Sequence, residues 1–219
     1  TSSMDIGEYP ACLIRDVYAV TNADCVKLYK NDRFVKEFRA ADSPYTHLPH
    51  GPIAIDDFIG ELLQNGENFS KGKAKDVKKV LQSVSKNGLN HLPLGTILLA
   101  AKCMLLRGMK MADAVELYNK YIGNWGGTAT EYRFEAIRDG KVVKTVKKRP
   151  VNKPQLLVDC SHTILTEKTT YDVAAIRLRA VSEEGSTLSY CNEPLTLTVK
   201  GPLSIIGSST ISLQGGVGG

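Results

Sequence analysis

The chain has 219 residues, 42% of them hydrophobic and 23% charged, which is the composition of a core-forming protein and excludes a disordered tail. Its length suits one large domain or two small ones and falls short of the roughly 250 residues of a (β/α)8 barrel. Its longest apolar run, Ile97 to Leu106, contains Lys102 and is too short to span a bilayer, so no membrane partner is expected; the net charge of +5 is modest.

From Ala11 to Ala40 the chain reads as short strands. Val26 and Leu28 alternate with Lys27, the period of a half-buried strand. Asn31-Asp32 makes a turn, and Arg33 to Phe38 returns as a hairpin partner. From about Pro52 to Gly123 the period lengthens. A short helix is expected over Asp56 to Leu63, presenting Phe58, Ile59, Leu62 and Leu63. Val77, Val80, Leu81 and Val84 form the stripe of a second helix, opened by Ser70 and stopped by Gly88. Pro93 opens a third, with Ile97, Leu98, Ala101, Met104 and Leu105 on its inward face and Gly108 at its end. A fourth runs from Met111 to Tyr121 with Val115, Tyr118 and Tyr121 facing in. Four amphipathic helices with short connectors predict a small bundle.

Strand texture resumes after Trp125. Glu131 to Ala136 alternates, Asp139-Gly140 is a hairpin signal, and Lys141 to Lys148 returns. Pro150 and Pro154 bracket a linker. Beyond it, Ala174, Ile176, Leu178 and Ala180 alternate with arginines, and Leu195, Leu197 and Val199 with threonines, a spacing that indicates a β-sandwich. The sequence stops on a glycine-rich run, Gly215 to Gly219, so this last sandwich is expected to be truncated or closed by a strand from elsewhere.

The predicted fold is mainly β with an inserted α-helical bundle. Residues 1–51 plus 124–150 form one sandwich, 52–123 are a helical insertion in one of its loops, and 151–219 form a second, incomplete sandwich. Three consecutive independent units are the other arrangement open to this pattern.

A search for chemistry returns little. Cys12, Cys25, Cys103, Cys160 and Cys191 are odd in number and lack a C-x-x-C pair, so neither a disulfide framework nor a zinc site is expected, and reduced thiols fit a cytoplasmic location better than a secreted one. His47 and His50 read as loop histidines and Asp56-Asp57 as helix-start acids, leaving no metal or cofactor site. Asp159-Cys160-Ser161-His162 holds the residue types of a triad, but contiguous strand residues point to opposite faces. Asn192-Glu193 enters a strand through a loop. The basic runs Lys71 to Lys79 and Lys141 to Lys153 read as solvated faces, so nucleic acid is not the expected partner.

The most recognisable text is Tyr171 to Ala180, Leu188-Ser-Tyr-Cys-Asn-Glu-Pro194, Leu195 to Val199 and Gly201-Pro202. It resembles the C-terminal immunoglobulin-like modules of glycoside hydrolase family 2, the β-galactosidase and β-glucuronidase family. Val17 to Asn22 with Val26 to Asn31, and Tyr132 to Val146, look like the two ends of the preceding module. The resemblance covers both β-regions and not residues 52–123. It implies a non-catalytic accessory region whose partner is the catalytic barrel of a parent glycosidase, with contacts between copies of the chain a further expectation. The family's two catalytic glutamates lie on that barrel, and none is carried over here. The alternative expectation is a carbohydrate-binding module, in which Trp125, with Tyr121 and Tyr132, supplies an aromatic platform for a sugar face.

Overall fold

The computed structural model describes residues 16–122 and 130–219. The described residues fall into two compact units that divide between Pro150 and Val151. The first contains β1 (Val17–Ala19), β2 (Cys25–Lys30), β3 (Arg33–Arg39), β4 (Ile53–Ile55), α1 (Leu62–Glu67), α2 (Lys71–Asn87), α3 (Leu94–Arg107), α4 (Met111–Tyr121), β5 (Tyr132–Arg138) and β6 (Lys141–Lys148). The second contains β7 (Gln155–Cys160), β8 (Ile176–Val181), β9 (Pro194–Thr196), β10 (Thr210–Ser212) and β11 (Val217–Gly218). The protein is therefore β-rich and mixed, with antiparallel sheets, helices and no barrel among the described residues.

In the first unit an antiparallel sheet runs in the order β3-β2-β5-β6. Strand β2 pairs with β5 from Cys25 opposite Ile137 to Lys30 opposite Tyr132, so segments on either side of the helices in sequence are neighbours in one sheet. Both hairpin turns use left-handed backbone. Asn31 and Asp32 have φ of 47° and 61°, and Asp139 and Gly140 have 50° and 72°, the pattern that matches strand twist in two-residue hairpins. Asn and Asp tolerate this region, so the first turn forms without the glycine. Between Leu28 and Tyr29 the register slips and Val35 of β3 has no partner, a bulge that leaves its side chain buried. The parity of β2 sends Val26, Leu28 and Lys30 inward. The lysine-rich strand β6 lies at the sheet edge, where charge discourages pairing with another chain.

Local chemistry accounts for the helix boundaries. The Ser70 hydroxyl accepts the Lys73 N–H at the start of α2, and Gly88 follows its last residue. Helix α3 runs between Pro93 and Gly108, the latter left-handed with φ of 63°. The helix expected over Asp56 to Leu63 begins only at Leu62. Asp57 Oδ1 accepts the N–H groups of Ile59 and Gly60, a side-chain turn that competes with helix, and Gly60 is left-handed at φ of 55°. Helix α2 buries Ala74, Val77, Leu81 and Ser85 and packs against α1 and α3.

Two helix faces differ from expectation. In α3 the side chains of Ile97, Leu98, Ala101, Met104 and Leu105 are exposed, and the helix buries Cys103 instead. Leu98, Ala101 and Leu105 lie opposite Cys103, whereas Met104 lines a small cavity with Val77, Val80 and Leu81 of α2. In α4 the buried pair is Leu117 and Tyr121, while Val115 is exposed.

The second unit has a three-stranded sheet, β11-β8-β7, and a two-stranded ribbon, β10-β9. Leu178, Ala180, Leu188 and Leu213 form its core, with Leu195, Leu197 and Ile211 packed around it. The glycine-rich run is not a loose stop: Val217 and Gly218 pair with Arg179 and Leu178 of β8. Gly216, at φ of 78°, lies so close to the Leu188 carbonyl that a Cβ would approach its oxygen to 2.3 Å, so this strand needs glycine there.

Candidate functional site

Strands β1 and β4 pair antiparallel, Val17 opposite Ile55, and set a small ribbon beside the last turns of α2. The cleft between them has a volume of about 320 Å³, at the lower end of the range that holds small molecules. Val17, Ile55, Phe58 and Ile122 make it apolar on one side. Gln82, Ser83, Lys86 and Asn87 of α2 supply polar groups opposite, with Asp16 and Asp56 at the ribbon ends.

The polar groups are held in place by one another. Lys86 Nζ donates to Asp16 Oδ1 at 2.6 Å, which raises the lysine pKa. Gln82 Nε2 donates to Asp57 Oδ1 at 2.9 Å, and Asn87 Nδ2 to the Ser83 carbonyl at 3.0 Å. Ser83 and Thr96 share a 3.0 Å hydroxyl–hydroxyl bond. Tyr18, 46% exposed, stands at the mouth and meets the Tyr45 ring edge-on, centroids 6.1 Å apart; His47 in turn meets Tyr45 at 6.4 Å. With Lys86 matched by Asp16, the cleft combines an open aromatic face, amide and hydroxyl groups and little net charge. That set suits a neutral polyhydroxyl ligand.

Next to the cleft, Asp57 is a structural acid. Burial acts to raise its pKa, but the Lys78 ammonium at 2.8 Å and the Gly60 and Ile59 N–H groups outweigh burial and hold it below the usual carboxylate value. Lys30 is a buried cation. Burial lowers its pKa from 10.5 to about 8, and its Nζ donates to the Tyr121 carbonyl at 2.6 Å.

The aromatic platform expected around Trp125 is not formed by the two tyrosines. Tyr132 is 0% exposed and packs edge-on against Phe58 at 5.5 Å. Tyr121 is buried too, with its hydroxyl donating to Glu67 Oε1 at 2.6 Å. Stacking on a sugar needs an open ring face, and both rings are spent on the interior. Trp125 lies outside the described residues.

The remaining sequence candidates are accounted for by local contacts. His47 and His50 are exposed, and no group of three metal-ligating side chains occurs among the described residues. Ser161 Oγ and His162 Nδ1 are 3.0 Å apart, but that oxygen also accepts the Ala175 N–H, and Asp159 accepts a bond from Arg179 at 3.0 Å, not from the histidine. Glu193 accepts the Cys191 thiol at 2.6 Å, which lowers the carboxyl pKa, and Asn192 Oδ1 accepts the Gly215 N–H. No helix is long and apolar enough to cross a membrane among the described residues. Sequence reasoning missed Tyr18, Gln82, Lys86 and Asn87 as a group, because no local pattern links β1 to the far end of α2. Lys30 was legible from strand parity, as the next inward position after Val26 and Leu28.

The fold is that of a β-rich protein with no barrel among its described residues. No protein-family model matches the chain. A curated β-galactosidase from Rhizobium radiobacter is 30% identical to it over 113 residues, which cover 48% of this chain and 75% of that relative. The chain belongs to the same family as that β-galactosidase, and its relationship is to the glycoside hydrolases.

Proposed function

We propose that this chain is a non-catalytic accessory region of a β-galactosidase-like glycoside hydrolase, built from immunoglobulin-like modules into whose first sheet the helices are inserted. The observation that carries the reading is the β-galactosidase relative, which is 30% identical to this chain over 113 residues. The pairing of β2 with β5 around the helices supports the insertion. The test is incubation of the purified chain with an aryl β-galactoside. No release of phenol above the buffer rate is expected; enzymatic turnover overturns the reading.

A second reading, sugar contact, is favoured by the Tyr18 cleft. Titration with galactose or lactose would shift the Tyr18 ring resonances in the wild-type chain and leave them unmoved in Gln82→Ala. Absence of any shift at high sugar concentration removes it.

A further inference from the structure

Helix α3 carries its most apolar face outward. Cys103 is the residue it buries, and on the opposite side Leu94, Leu98 and Leu105 are 80%, 71% and 83% exposed, with Ala101 exposed between them. Along the helix, Leu94, Leu98, Ala101 and Leu105 are separated by four, three and four residues, the a/d spacing of a coiled-coil seam. Ile97, Met104 and Leu106 flank the seam, and Met111 and Val115 of α4 are also exposed. Monomers rarely expose continuous apolar patches of this kind. Four of the nine exposed leucines among the described residues, Leu94, Leu98, Leu105 and Leu106, are on this one helix.

We infer that this face is covered by α3 of a second copy of the chain, packed antiparallel about a twofold axis. Three observations favour that occupant. The seam is self-complementary: in antiparallel register Leu98 faces the small Ala101 of the other copy, and Leu94 faces Leu105, so large side chains meet small ones at the centre. The seam itself carries no charge, although the chain is net positive at +5. Of the nearest cations, Lys102 and Arg107 share one carboxylate oxygen, Asp76 Oδ2, at 2.9 and 3.2 Å, which offsets one of their two charges. The charge left over lies beside the seam and not on it. Antiparallel helices also oppose their macrodipoles favourably.

Sedimentation equilibrium of the chain, over a series reaching about 100 μM, tests this directly, because a dimer of micromolar affinity is almost fully formed at the top of that range. The expected mass is twice the 23.9 kDa of the chain. Leu98→Asp is expected to give a monomer with unchanged helical circular dichroism, because the position is already in solvent in the single chain. The double variant Leu94→Cys/Leu105→Cys is expected to form a covalent dimer on mild oxidation, and neither single variant is. A monomer at every concentration leaves the face to another body and overturns the proposal. Association unaffected by Leu98→Asp overturns it as well, and a dimer that the paired cysteines cannot lock overturns the antiparallel register. None of these readouts depends on glycoside chemistry.

Discussion

Lys30 and Tyr121 are joined by a 2.6 Å hydrogen bond from the buried ammonium of β2 to the main-chain carbonyl at the end of α4. The bond ties the helical segment to the sheet, and it does so with a cation in a site that disfavours charge. Burial sets the Lys30 pKa at about 8, against 10.5 in the open chain.

This makes stability depend on pH with a definite sign. The folded pKa lies below the unfolded one, so between about 8 and 10.5 the unfolded chain binds more protons, and the contribution of Lys30 to stability rises with pH across that window. The displacement corresponds to roughly 3 kcal/mol at full development. Lys30→Met is expected to remove this rise. Urea unfolding of wild type and variant from pH 7 to 10 checks it, the difference between the two curves isolating Lys30 from the thiols and phenols that titrate in the same range.

Asp57 gives a dependence of the same sign, stability rising with pH, but in the acid range. Its folded pKa is held below the ordinary aspartate value of 3.8, so its stabilisation is present above that value and disappears as pH falls through the folded pKa. Asp57→Ala strands the Ile59 and Gly60 N–H groups, the Lys78 ammonium and the Gln82 amide, at an expected cost of about 3 kcal/mol at neutral pH. Asp57→Asn keeps an acceptor for the two N–H groups and is expected to cost about half as much. Chemical denaturation at pH 7 and pH 3 should show both penalties shrinking at the lower pH.

Gly60 separates steric clash from backbone strain. A Cβ there would stand 1.9 Å from the Val35 carbonyl oxygen, at φ of 55°, whereas at Gly140, φ of 72°, it would meet nothing within 4 Å. Gly60→Ala is expected to destabilise by roughly 3 kcal/mol or more and Gly140→Ala by about 1 kcal/mol, since only the first adds a clash to the left-handed strain. Thermal unfolding of the two variants side by side decides whether the bulge at Val35 needs this close approach.

Glu67 accepts from both Lys120 and Tyr121, each at 2.6 Å, and those two bonds lower its pKa in that order of effect. Tyr121→Phe removes one donor. The Glu67 carboxyl is expected to titrate closer to its ordinary value, and stability to fall by about 1 kcal/mol. A carbon-detected NMR titration of the Glu67 side chain reads the first effect, and urea unfolding the second.

What the amino-acid order determined alone was local. Ser70, Gly88, Pro93 and Gly108 mark the ends of α2 and α3 because caps and breakers act on the backbone beside them. The alternation of Val26 and Leu28, and the Asp139-Gly140 turn, mark strands and a hairpin for the same reason. Only the tertiary structure decided which apolar faces meet. Periodicity shows that α3 has an oily side but not which side finds a neighbour, and the helix docks through Cys103 and leaves Leu94, Leu98, Leu105 and Leu106 in solvent. Likewise, Tyr121 and Tyr132 become interior rings, and Tyr18 an open one, through the packing of segments distant in sequence, a long-range outcome that no short window of residues encodes.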